Sequence, residues 1–187
     1  MVSIRSILTG AVAFLASSIT ADTTTPQQVA GDINQLAQKS QALQGTAHNI
    51  TALNAPLIML EEGPFRDLVA GYTEIIQSGK KLISDLDGFG PIAGSDADQI
   101  YTAFHEFAAA SQALHQILID KAGILLKIPI ISQPVTTVML LQEAVIDGIA
   151  LLLINATPAK ADELNATAHS LDATLQQCVA KFYSIAI

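Results

Sequence analysis

The chain has 187 residues, half of them hydrophobic and only 5% aromatic, with no Trp and a mean hydropathy of +0.42. That length suits one domain, whose core must be built of Leu, Ile, Val and Ala. A formal charge of -8 and a pI near 4.7 exclude an electrostatic grip on nucleic acid or anionic lipid.

Residues 1–21 read as a secretory signal peptide: Arg5 supplies the positive start, Ile4 to Leu15 the apolar stretch, and small residues from Ala16 to Ala21 the cleavage site. The remaining 22–187 form a single domain. Export agrees with Asn-x-Ser/Thr sequons at Asn49, Asn155 and Asn165, expected as glycosylation sites. Cys178 is the only cysteine, so no intrachain disulfide is available. On an apolar stripe it reads as a small buried side chain rather than a reactive thiol.

Pro and Gly divide this domain into helical segments. Thr25 and Pro26 open the first as cap and first helical residue, and its stripe runs Val29, Ile33, Leu36, Ser40, Leu43, Ala47, Ile50. Breaks at Ala55-Pro56 and Gly63-Pro64 lead into the second, with Phe65, Leu68, Tyr72, Ile75, Gly79, Leu82 and Leu86 on one face. After DGFGPIAGSD, Ser95 and Asp98 resemble a capping box for a third helix carrying Ile100, Phe104, Phe107, Ser111, Leu114, Leu118, Ala122 and Leu125.

The fourth segment opens at Ser132 and Pro134 and contains VTTVMLLQEAVIDGIALLLI, Val135 to Ile154. It is nearly long enough to span a bilayer, but it carries Gln142, Glu143 and Asp147. An acidic residue near the centre of a span costs roughly 2.5 to 3.5 kcal/mol, against about 0.3 to 0.6 returned by each Leu, Ile or Val, so the balance is near zero. No basic cluster flanks the run. It is expected to be the central helix of a soluble bundle, packed on several neighbours, with no integral membrane span. Thr157 and Pro158 repeat the cap-then-proline signal for a fifth helix with Leu164, Ala168, Leu171, Leu175, Cys178, Phe182 and Ile185 on its stripe. The fold class is therefore all-α: an up-and-down bundle of about five long helices.

Ser40, Ser111, Gln142 and Tyr72 stand on inward stripes where Leu would be usual. A Ser in a helix can bond its own i-4 carbonyl and Gln142 can edge to the surface; alternatively these uncharged groups meet the polar end of a ligand. Ala47, Gly79, Ala122 and Ala168 either let helices approach closely or leave unfilled volume. Glu143 and Asp147 read as a solvated strip. No HExxH, GxSxG, GxxxxGK[ST] or CxxC motif is present, and His48, His105, His115 and His169 lack metal-ligand spacing. No enzymatic activity, metal or cofactor is expected, and each histidine reads as a surface or satisfied core residue.

The leader, the Asp-Ile-x-x-Leu segment from Asp32 to Leu36, the long Ala/Leu-rich amphipathic helices and the closing Ala-Lys-Phe-Tyr from Ala180 to Tyr183 together give a resemblance. The chain resembles the fungal cell-wall galactomannoprotein family, which includes hydrophobic-surface-binding protein A. The resemblance implies a secreted wall protein with an apolar central cavity that takes a fatty acid, arachidonic acid included. In that setting the tail is expected among Leu68, Phe104, Phe107, Leu118, Val138, Val145 and Ile149, while stripe position alone assigns the head group to Ser40, Tyr72, Ser111 and Gln142. The expected partner is a fatty acid or similar single-chain lipid, with cell-wall glycan attachment, and the state a monomer or weak dimer. Some members instead adsorb to hydrophobic surfaces and recruit esterases, and a purely structural or antigenic wall role is the third alternative.

Overall fold

The computed structural model describes residues 24–183 apart from 61, 126 and 129–131. The expected signal peptide and Ile185 lie outside the described residues. Five helices account for most of the chain: α1 Pro26–His48, α2 Pro64–Leu86, α3 Ser95–Leu125, α4 Ser132–Ala156 and α5 Ala161–Tyr183. Short 3₁₀ turns lie at Ala55–Leu60 and Pro158–Lys160, and no strand occurs among the described residues.

The helix ends follow from local chemistry. Thr25 and Gln28 form a reciprocal capping box at the start of α1: the Thr25 hydroxyl accepts from the Gln28 amide at 3.2 Å, and the Gln28 side chain accepts from the Thr25 amide at 2.7 Å. At its other end Lys121 of α3 donates to the carbonyls of His48 and Ile50 at 3.0 and 2.8 Å. That cation satisfies acceptors the helix terminus leaves open. Gly63 and Gly94 take positive φ, 82° and 64°, immediately before α2 and α3.

Two expected caps differ. Ser95 is already helical, and Asp98 instead pairs with Lys160 at 3.0 Å, tying α3 to the start of α5. Thr157 is fully buried and its hydroxyl donates back to the Leu153 carbonyl at 2.7 Å, so it closes α4 rather than opening the next helix. A 3₁₀ turn then precedes α5.

The helices form a closed ring in the order α1, α3, α5, α4, α2, each packing chiefly on its two ring neighbours. Chain direction alternates, so α1, α3 and α5 run one way and α2 and α4 the other. Polar contacts between neighbours follow this parallel sense: Gln27 reaches Asp96 and Gln44 the Ala110 carbonyl between α1 and α3, while Gln112 reaches Ser170 between α3 and α5. Consecutive α2 and α3, and α3 and α4, face one another across the ring instead of packing side by side.

α4 is therefore one member of the ring, not a helix enclosed on all sides. Its inner face packs against α2 and α5 through residues such as Val135, Met139, Ile146, Ile149 and Leu153. Leu140, Leu141 and Leu151 point outward, 43, 46 and 61% exposed, so part of the apolar excess in this segment lies on the surface. By length and composition alone, Val135–Ala156 could cross a membrane. At the α2–α4 crossing a Cβ on Gly79 would lie 2.3 Å from a Val145 methyl, and one on Gly148 would lie 2.9 Å from Ile83. Gly79 is thus a close helix contact and not unfilled volume. Ala47 and Ala122 are buried and Ala168 packs against the core from its edge.

Candidate functional site

All four polar residues singled out on inward stripes are buried: Ser40 on α1, Tyr72 on α2, Ser111 on α3 and Gln142 on α4. They fall into two groups. The Ser40 and Ser111 hydroxyls meet at 3.3 Å between neighbouring helices. Tyr72 and Gln142 are joined through His115, absent from the inward stripes of the sequence, which follows Ser111 by one helical turn.

His115 is fully buried, and its Nε2 lies 3.0 Å from Gln142 Oε1. Its ring stacks on Tyr72 with centroids 6.3 Å apart and planes 17° from parallel. The Cys178 thiol of α5 donates to the His115 carbonyl at 3.6 Å. Because α3 neighbours neither α2 nor α4 in the ring, the Tyr72–His115–Gln142 cluster crosses the interior. It is a polar strut across an apolar ring. A signal for His115 existed: it stands four residues after Ser111 and three before Leu118, on the same face.

Three polar atoms of this cluster have no partner: Tyr72 Oη, His115 Nδ1 and Gln142 Nε2. Each such buried group costs about 1–3 kcal/mol while it stays unpaired. With His115 Nε2–H donating to Gln142 Oε1, Nδ1 is left as an open acceptor, while Tyr72 Oη and the Gln142 amide are open donors. Burial outweighs the hydrogen bond to Gln142 and lowers the His115 pKa to about 4, so the imidazole is neutral at pH 7. Burial, reinforced by Cys178, holds the Tyr72 phenol well above its usual range, and burial pushes the Cys178 thiol up to about 12. Among the described residues no Lys, Arg, Asp or Glu is buried. The cluster is polar and without formal charge.

A small apolar cleft of about 10 Å³, partly open to solvent, adjoins Tyr72 between α2, α3 and α4, lined also by Phe65, Leu68, Val69, Leu118, Val138 and Met139. Of the residues expected along a tail, Leu68, Leu118 and Val138 line it. Phe104 and Phe107 pack on each other elsewhere in the core, at 6.3 Å between centroids, and Val145 and Ile149 pack at the Gly79 crossing. Two larger hollows, of about 350 and 330 Å³, are open surface grooves along α3–α5 and α4–α5. Their walls mix charged, polar and small residues with a few larger apolar ones, Leu151 and Ile154 in the second, and both are open to solvent.

The acidic pair on α4 is modified by its surroundings: partial burial and Asp172 on α5 raise the carboxyls of both Glu143 and Asp147 above their usual range. Both remain partly or largely exposed, outside any enclosed cleft. Asn49, Asn155 and Asn165 are all exposed, Asn49 in the turn after α1 and the others on helices. No group of three or more His, Cys, Asp or Glu suited to a metal ion occurs among the described residues.

No protein-family profile matches this chain, and no curated protein matches it in sequence. Solved structures do match in three dimensions. AFMP4P in complex with palmitic acid aligns at a TM-score of 0.73 and 12% identity, over 84% of this chain and 99% of that one. Ligand-binding domain 1 of the Penicillium marneffei MP1 protein, complexed with arachidonic acids, aligns at 0.72 and 14% over 84% and 99%. Domain 2 of the same protein, complexed with multiple arachidonic acids, aligns at 0.67 and 16% over 83% and 92%. At such identities the likeness establishes the fold, and the chain shares the all-α architecture of these structures.

Proposed function

We propose that this chain is a secreted cell-wall mannoprotein of the galactomannoprotein family that binds a long-chain fatty acid inside its helix ring. The observation that carries the reading is the strut of Tyr72, His115 and Gln142, with three open polar atoms, beside a small apolar cleft. A buried polar cluster with open valences suits the head of an amphiphile, and an apolar interior suits its tail. The fold's likeness to structures in complex with palmitic and arachidonic acids supports the same assignment. Each methylene transferred from water contributes about 0.8 kcal/mol, so the tail supplies most of the affinity.

A space of about 10 Å³ holds roughly one water, so a tail entering beside Tyr72 must part the helices there. The Ser40–Ser111 pair lies within reach of the same head region, one turn from His115 along α3. Secretion through the leader at 1–21, glycans at Asn49, Asn155 and Asn165, wall attachment and a monomeric or weakly dimeric state complete the reading. It describes a carrier rather than an enzyme. Native mass spectrometry of the mature chain from a heterologous host, followed by lipid extraction, tests it. A retained fatty acid of defined mass is the expected result; a chain that retains none and takes up neither palmitate nor arachidonate refutes it.

A second reading is favoured by one specific observation. Leu140, Leu141 and Leu151 on α4, with Leu53 93% exposed before the first 3₁₀ turn, give an apolar exterior suited to adsorption on a hydrophobic surface. Saturable adsorption to alkylated beads, abolished by Leu140→Ser/Leu141→Ser/Leu151→Ser in a chain that still retains no lipid, would favour it over a carrier.

A further inference from the structure

We propose that the Tyr72–His115–Gln142 cluster takes the head group of its ligand in uncharged form, as a carboxylic acid or primary amide and not as a carboxylate. The proposal rests on the fatty-acid reading above and deepens it. The open valences of the cluster are of both kinds. As the hydrogen bond stands, Tyr72 Oη and Gln142 Nε2 offer donors and His115 Nδ1 an acceptor. Reversing the Gln142 amide together with the histidine tautomer exchanges the roles and again leaves donors and an acceptor open. A carboxylate presents acceptors only and would leave the acceptor of the cluster unmatched. A carboxylic acid, with one O–H and one C=O, answers both.

Electrostatics point the same way. The groups that face His115 are Tyr72 from α2, Gln142 from α4 and Cys178 from α5, with Ser111 on its own helix and Ser40 beside it on α1. None carries formal charge: the phenol and thiol are held protonated by burial, and no buried cation exists among the described residues. A buried carboxylate without a cation pays its desolvation in full. The proton therefore stays on the ligand, whose bound pKa rises above the value near 4.3 typical of a free carboxyl. In either arrangement an acceptor stays open only while the imidazole is neutral, and burial keeps it neutral above about pH 4.

The test is carbon-13 NMR of palmitate labelled at its carboxyl carbon, bound to the whole mature chain, from about pH 5 to about pH 8, where His115 stays neutral. The bound carboxyl is expected at the protonated position, titrating roughly two or more units above the free acid. Hexadecanamide should compete for the same site with at least equal affinity at about pH 7. His115→Phe, which keeps the ring and removes the acceptor, should weaken the amide roughly two- to tenfold. A bound signal at the carboxylate position throughout, or an amide that fails to displace palmitate, overturns the proposal while leaving fatty-acid binding intact. Absence of any bound signal removes the fatty-acid reading itself, and this inference with it.

Discussion

Gly79→Ala is a sharp test of how closely the ring is closed. The added Cβ would lie 2.3 Å from Val145 Cγ1 and 3.5 Å from Ile149 Cδ1. Carbon atoms rest at about 3.5–4.0 Å, so the second contact is ordinary and the first is short by more than an ångström. Val145 is buried on α4 and β-branched, with one strongly preferred helical rotamer, so its methyl has little freedom to swing aside. α2 and α4 must separate instead. Overpacking of this kind costs about 1–3 kcal/mol, and Ala returns about 0.8–1.0 as the better helix former. With so short a contact the net loss should be about 1–2 kcal/mol, a fall in Tm of roughly 2–8 °C for a domain of this size.

The control is Gly45→Ala on the exposed face of α1, where an added Cβ meets nothing within 4 Å. It should stabilise by up to about 1 kcal/mol. Thermal melts followed by circular dichroism compare the two. Val145→Ala removes the obstructing methyl, so the double variant should show a coupling of about 1–3 kcal/mol of the relieving sign. If Gly79→Ala stabilises as Gly45→Ala does, the crossing is looser than the geometry says and Gly79 borders open volume.

Two further expectations concern the strut. Because burial lowers the His115 pKa from about 6.5 to about 4, the unfolded chain binds this proton first as pH falls. The contribution is fully present above about pH 6.5 and declines towards pH 4, by ~3 kcal/mol in all; the raised carboxyls of Glu143 and Asp147 act in the opposite sense near the acid end. Urea melts across this range should show that slope in wild type and lose it in His115→Phe; an unchanged slope would place the titrating group elsewhere. Gln142→Leu removes one open donor and leaves His115 Nε2–H unpaired, so it should weaken palmitate roughly two- to tenfold and cost about 1–3 kcal/mol of stability. Adding His115→Phe should recover much of that stability but not the affinity, as measured by melts and lipid titration.

The helices were legible because their starts carry their own chemistry, as in Thr25-Pro26 with Gln28 or Gly63-Pro64, and because inward residues recur at three and four. The same periodicity marked Ser40, Tyr72, Ser111 and Gln142 as inward, and all are buried. It could not say which of them meet. Periodicity is a property of one helix, whereas the Ser40–Ser111 contact and the His115 bridge depend on the ring order, which chain order does not dictate. The spacing of the histidines speaks only against a metal site, whereas the position of His115 between Ser111 and Leu118 puts it on the buried face. α4 departs from the expected central helix for a different reason. Counting apolar residues gives an amount without a direction, and Leu140, Leu141 and Leu151 face outward.

The ring order gives the strut its meaning. Ser40–Ser111 joins neighbours and leaves the interior clear, but Tyr72–His115–Gln142 reaches from α3 across the centre to the neighbouring pair α2 and α4. A chain passing between these helices must either run beside the strut or divide it. Dividing the His115–Gln142 bond sacrifices about 0.5–1.5 kcal/mol net. A head group placed in the gap can accept from His115 Nε2–H and donate to Gln142 Oε1, replacing one bond with two. The polar exchange is then nearly balanced or favourable, and only for a head group that both donates and accepts. In the proposed carrier, burial of methylenes would drive entry, and the strut would set where an uncharged head group comes to rest.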